Sequence, residues 1–224
     1  MNGVRFAVLD LDDTLLATEC AKRRGRRALA QLGIDARKFA AADHRWWDRF
    51  EEGSCSIEEV WHGRLVDCGV ERTRTEEISQ LYRSISNVLH LRRGATRLVG
   101  QLNRSGFRTV ILTNGPRHPQ REQALGALRR KIDGIVWAGD SPVRKPSPEA
   151  FVQALALIDG QPREAISIGD RFHLDIQPAL ELGFVQGIWL TRQPSHPDPR
   201  VACVRSLEYA ASMLGPTLSA RNVA

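Results

Sequence analysis

With 224 residues, 42% of them hydrophobic and 26% charged, the chain can bury a substantial core and somewhat exceeds the length of one typical domain. Its net charge of +6 arises from 32 basic residues interleaved with 26 acidic ones, which suits an anionic small molecule as readily as nucleic acid, and no aromatic-basic alternation of an RNA-binding module is present. No apolar run approaches the ~20 residues of a membrane span, and the four scattered cysteines, Cys20, Cys55, Cys68 and Cys203, lack the spacing of a zinc site or a disulfide framework.

The N-terminus runs into a strand without a signal-type apolar segment, so the expected location is cytoplasmic. That strand, Val4 to Leu9, stops in Asp10-Leu11-Asp12-Asp13-Thr14. Carboxylates at the mouth of a buried strand cost free energy unless a cation compensates them, and that cation is usually a metal. If the extended backbone continued, Asp10 and Asp12 would share a face. The competing reading of such an isolated pair is an acidic turn that caps the next helix.

From about Thr18 to Leu91 the chain reads as helix throughout. Cys20 to Leu32 runs into Gly33, a natural stop, while Ile57 to Val66 and Glu76 to Val88 carry apolar residues at helical spacing, with Ser56 or Ser54 as a cap. Within the first of these, Lys22-Arg23-Arg24-Gly25-Arg26-Arg27 is the densest charge run, and Lys22 and Arg26 fall on one face. Trp46, Trp47, Phe50 and Trp61 fit a bundle core better than a base-stacking platform.

Three later segments match the chemistry of the first. Phe107 to Leu112 reads as a buried strand ending in Thr113-Asn114-Gly115; Lys145 lies in a loop leading to a helix with a proline near its first turn; Ala165 to Ile168 is a strand ending in Gly169-Asp170, with Asp175 five residues on. His173, in the same loop, is expected to be exposed rather than a ligand. Gly187 to Leu190 is expected to be the last core strand, followed by a proline-rich connection over 193–199, a closing helix from Ser206 to Leu214 and a tail from Gly215 that is disordered or loosely docked. The pattern is that of an α/β protein with a Rossmann-like, doubly wound parallel sheet, in which ligands bind at the carboxyl ends of the strands.

Taken together and in this order, these residues resemble the haloacid dehalogenase superfamily, subfamily I with a helical C1 cap. The resemblance implies a catalytic core over 1–17 and 92–224 and a cap over 18–91. It implies an enzyme, a Mg²⁺-dependent phosphatase acting on a small phosphorylated metabolite through an aspartyl-phosphate. Asp10 would be the nucleophile and Asp12 the acid and base. Thr113, Asn114 and Lys145 would hold the phosphate, and Asp175 would orient Lys145 or a metal-bound water. Asp10, Asp12 (through its carbonyl) and Asp170 would hold the metal, for which oxygen ligands and retained waters suit Mg²⁺. Asp12 argues against dehalogenation of carbon, because a general acid helps only when an oxygen departs.

The inserted helices would close over the site, or merely extend the core. If Lys22 and Arg26 face inward they would bind an acidic group of the substrate beyond its phosphate; otherwise the run is a solvated face. Asn114-Gly115 and the segment Ser56 to Trp61 are similar to nucleotidase and sialic-acid-phosphate phosphatase members, while sugar phosphates, nucleoside monophosphates and phosphocarboxylates all remain open. The competing function is a non-catalytic nucleic-acid-binding or regulatory protein on the same fold, disfavoured because it has no need of Asp10, Asp12, Lys145 and Asp170 together. No membrane partner is expected, and the sequence leaves the oligomeric state open.

Overall fold

The computed structural model describes residues 3–214. Two compact units divide the chain, one joining the segment up to Ala17 to that from His90 onward, the other formed by Thr18–Leu89. In chain order the elements are β1 (Phe6–Leu9), α1 (Thr18–Gln31), α2 (Ala36–Glu51), α3 (Ile57–Val66), α4 (Thr75–Ser86) and α5 (Ala95–Arg104). There follow β2 (Arg108–Thr113), α6 (Pro119–Ala124), β3 (Gly134–Trp137), α7 (Pro148–Ala156) and β4 (Ala165–Gly169), then α8 (Gln177–Glu181), β5 (Gln186–Leu190), β6 (Val201–Val204) and α9 (Leu207–Met213).

The first unit is built on a parallel sheet of order β3-β2-β1-β4-β5-β6. Its central strands are apolar runs buried along their length, as sheets covered on both faces require. One face packs Val8, Val110 and Leu112 against Phe151, Ala154 and Leu155 of α7, and the same face continues across the sheet to Val201, in register with Gly187 and clustered with Ile176 and Leu180. The strand order reverses between β1 and β4, where Leu9 lies beside Ile168, and the crevice at this reversal is where such sheets bind ligands. Gly187–Leu190, expected to be the last core strand, is instead β5 in the second-last place, because Val201–Val204 adds β6 at the edge. Val201–Val204 is apolar throughout, but a run of four residues directly after a proline-rich connection is too short to settle an element from the sequence.

The inserted segment leaves and rejoins this unit at one place: Ala17 N–H donates to the His90 carbonyl at 3.0 Å, Arg92 N–H to that of Leu15 at 2.7 Å, and Leu16 bridges Leu91 antiparallel. Ser206 caps α9 by accepting from Tyr209 N–H, as a serine at that position should, and residues 215–224, the expected loose tail, lie outside the described residues.

The second unit is helical. Asp35 caps α2 by accepting from the N–H groups of Arg37 and Lys38, both at 2.8 Å, and Ser56 and Glu59 form a reciprocal capping box at α3. Leu29, Ile34, Phe39, Leu65, Ile78 and Tyr82 form its core. Trp47 meets Phe50 and Trp61 edge-on at 5.4 and 5.8 Å, and Trp46 packs in the same cluster, so the four aromatics serve as bundle core. Arg64 is buried there, paired with Asp43 and 4.5 Å from the rings of both Trp61 and Tyr82. The four cysteines are free, and no helix among the described residues is long and apolar enough to cross a membrane.

Candidate active site

Four polar side chains meet at the carboxyl ends of β1 and β4. Asp10 continues the ladder beyond β1, its N–H donating to the Ile168 carbonyl at 2.9 Å, and its carboxylate lies 8% exposed. Lys145, 3% exposed, reaches it from the loop before α7, with Nζ donating to Asp10 Oδ1 at 2.7 Å and to Asp175 Oδ1 at 2.5 Å. Both amide atoms of Asn114 hold the backbone of that lysine: Nδ2 donates to its carbonyl at 2.8 Å and Oδ1 accepts from its N–H at 2.9 Å. Asn114 thus fixes Lys145, where the sequence had placed it on the substrate.

Asp170 follows β4, and Asp175 sits five residues on in a wide turn, Phe172–Ile176, closed by Gln177 N–H on the Phe172 carbonyl. Such π-type turns recur at functional sites. Ser167 Oγ donates to the Asp175 backbone carbonyl at 2.6 Å and Arg171 N–H to its Oδ2 at 2.9 Å, so this buried residue is held through both its backbone and its side chain. Gly169 permits the approach, because a Cβ there would run into the Asp175 carboxylate. Trp189 Nε1 donates to the Asp170 carbonyl at 2.9 Å, and Thr14 Oγ1 to Asp170 Oδ1 at 3.4 Å. His173 is exposed, as expected.

Carboxylate oxygens of Asp10, Asp170 and Asp175 lie within 4.8 Å of one another, with the Lys145 ammonium on two of the three residues. Burial, then Asp175, Asp170 and Asp12, push Asp10 well above the ordinary carboxylate range against the pull of Lys145. Burial and the nearby Asp175 and Asp13 push Asp170 up to about 7. Burial alone would lower the Lys145 ammonium, but Asp10 and Asp175 raise it above its usual value, so it stays charged. Asp10 Oδ2 is buried and without a hydrogen-bond partner among the described residues. An orphaned carboxylate oxygen facing a surplus of negative charge fits a hard divalent cation, so this donor set fits a metal site.

Asp12 is turned elsewhere. Its Oδ2 accepts from Thr113 Oγ1 at 3.0 Å and from the Arg121 guanidinium, so the carboxyl points to the end of β2, outside the three-carboxylate cluster. Thr113 is fully buried, and its Oγ1 accepts in turn from Gly115 N–H at 3.0 Å. Asp10 is engaged by Lys145, and Asp12 by Thr113 and Arg121. Sequence reasoning missed Arg121, Trp189 and Thr14. A basic residue soon after Thr113-Asn114-Gly115, at a strand end where ligands bind, was the available signal for Arg121.

Lys22 and Arg26 lie on α1 in the helical unit. Lys22 Nζ is 3.8 Å from Asp43 Oδ2, and Arg26 is paired with Glu19. Asp43 is held below the ordinary range by Lys22, Arg64 and Arg26, against a burial cost that would raise it.

Comparison with known proteins agrees with this geometry. Residues 4–183 match the family model of haloacid dehalogenase-like hydrolases. N-acylneuraminate-9-phosphatase of Rattus norvegicus is 27% identical over 216 residues, covering 88% of this chain and 86% of the relative. Phosphoserine phosphatase of Thermus thermophilus is 26% identical over 251 residues, covering 94% and 100%. Among solved structures, the magnesium-bound HAD-hydrolase YfnB of Bacillus subtilis superposes with a TM-score of 0.76 at 26% identity, over 95% of this chain and 99% of that one. With the family model spanning the sheet from β1 through α8, and with Asp10, Thr113, Lys145 and Asp170 at four neighbouring strand ends or loops of that sheet, the chain belongs to the haloacid dehalogenase-like hydrolases.

Proposed function

We propose that this enzyme is a Mg²⁺-dependent phosphoric monoester hydrolase that acts on a small phosphorylated metabolite through an aspartyl-phosphate on Asp10. The observation that carries the reading is the pairing of two carboxyls with different surroundings: Asp10 among Lys145, Asp170 and Asp175, and Asp12 two residues on, held outside that cluster. A phosphate monoester is a dianion, so a carboxylate attacks it only where cations cancel the repulsion. Lys145 supplies one positive charge beside the attacking group. Asp10, Asp170 and Asp175, with the Asp12 carbonyl, would hold Mg²⁺, which when bound adds positive charge beside the phosphoryl oxygens.

The Asp10 carboxylate forms a bond to phosphorus as the bond to the alkoxide breaks, and Asp12 delivers the proton the alkoxide takes. Asp12 then removes a proton from the water that attacks the aspartyl-phosphate, releasing inorganic phosphate and restoring both carboxyls. Thr113 holds Asp12 and lines the phosphate side of the site. Dehalogenation is disfavoured, since a leaving halide needs no such acid.

Phosphate release assayed over a panel of metabolite phosphates should require Mg²⁺ or Mn²⁺ and be inhibited by Ca²⁺, whose larger coordination shell can take both oxygens of Asp10. Full activity in excess EDTA would refute the reading. Melting adds a second readout. A carboxyl raised in the folded state keeps a proton that the unfolded chain gives up, so in EDTA stability should fall as pH rises from about 3.8 to about 7, the span over which Asp170 differs between the two states. Mg²⁺ should reverse that fall, and a melting temperature insensitive to Mg²⁺ at pH 8 would count against the metal site.

N-acylneuraminate and serine, named in two relatives, are both carboxylic acids, which supports a substrate with an acidic group besides its phosphate. Under this reading the helical unit is a cap, and Lys22 and Arg26 exchange their internal partners for that group. Replacing both with Ala should then raise KM for a phosphocarboxylate substrate about tenfold while barely changing hydrolysis of 4-nitrophenyl phosphate. Equal kinetics on both substrates before and after substitution would leave the two side chains as structural ion-pair partners only.

A further inference from the structure

We propose that Arg121 is the positioning residue for Asp12, fixing the direction in which that carboxyl is held; this rests on the reading of Asp12 as acid and base. Arg121 stands on α6, and its guanidinium pairs with Asp12 Oδ2, the oxygen that also accepts from Thr113. Its side chain is 11% exposed, and its Nε is buried with no partner among the described residues, so the group is held by shape more than by a full set of hydrogen bonds. Two features make that shape. The Trp137 ring at the end of β3 lies 5.9 Å from the guanidinium carbon, and Gly115 leaves open the space that the guanidinium fills, since a Cβ there would overlap it.

A guanidinium and a hydroxyl converging on one carboxylate oxygen set the direction of the carboxyl. Without Arg121 the carboxyl turns about its last side-chain bond. Positioning of this kind matters in proportion to how much the departing oxygen needs a proton.

The test uses phenyl phosphate, whose phenoxide needs protonation, and 4-nitrophenyl phosphate, whose phenoxide leaves readily without it, with kcat/KM reporting the step that forms the aspartyl-phosphate. Asp12→Asn serves as reference and should lose far more on phenyl phosphate. Arg121→Gln should lower kcat/KM about tenfold for phenyl phosphate, less than about threefold for 4-nitrophenyl phosphate, and add nothing on top of Asp12→Asn. Gly115→Ala, which displaces the guanidinium while keeping it, should give the same pattern more weakly should Arg121→Gln not fold. An equal loss on both substrates that persists in the Asp12→Asn background would mean that Arg121 binds the phosphate itself and would overturn the role. A loss that merely follows a lowered melting temperature, or no loss, would overturn it too. Should Asp12→Asn fail to distinguish the two substrates, the acid assignment falls first and this role with it.

Discussion

Asp10→Asn is expected to lower phosphate release by about 10⁴-fold or more while leaving the protein as stable as the wild type in EDTA, or more so. The amide matches the carboxylate in shape but is neither a nucleophile nor a charged metal ligand. At the same time it removes one of three crowded carboxylates, a group that burial and its neighbours push well above the ordinary carboxylate range. Lys145 keeps Asp175 as a partner, so no buried ammonium is orphaned. Phosphate release and thermal melting on one preparation check both halves. A folded Asp10→Asn protein with appreciable turnover would remove Asp10 as nucleophile, and a large fall in melting temperature would mean that Asp10 is chiefly a structural partner of Lys145.

Lys145→Met should have the opposite profile, with activity and stability lost together. Methionine fills much of the same volume, so the cost is electrostatic: Asp10 and Asp175 are left buried without their shared cation. Removing one member of a buried pair costs about 3–5 kcal/mol, a large share of what a domain of this size holds in reserve. The deficit should shrink at low pH, where Asp10 and Asp170 are neutral, and grow as pH rises through about 7. Adding Asp10→Asn to Lys145→Met should recover part of the loss. Urea denaturation of the single and double variants at pH 5 and pH 8 measures this directly, and additive losses would show that the two side chains do not interact.

The half of the candidate site that stands at strand ends was legible because buried strands stop there in polar side chains. An apolar run that stops in Asp10, in Thr113 or in Gly169-Asp170 announces a side chain at the carboxyl edge of a sheet, and the doubly wound topology brings those edges together. Lys145 was legible from its loop before a proline-started helix. Roles that depend on a distant partner were not. Nothing local in the sequence says that Asn114 clasps the backbone of Lys145, that Trp189 anchors the Asp170 carbonyl, or that Arg121 reaches Asp12. Among the strands, β3 and β6 escaped because each is a run of only four residues at a sheet edge, apolar but short enough to be read as part of a loop. Helices with sharp caps were easier: Ser56 before α3 and Ser206 before α9 are where the serines suggested.

The junction where Ala17 donates to His90 and Leu16 bridges Leu91 bears on how such a chain can change over generations. Because departure and return are fastened to each other, the intervening helices amount to a closed loop hung from one point of the sheet, and lengthening a loop raises the entropic cost of closing it only logarithmically. Insertions, deletions or wholesale exchange between Thr18 and Leu89 therefore need not shift the register of any strand. The helical unit is free to drift at its own pace while the sheet beneath Asp10 and Lys145 is inherited almost as a fixed part.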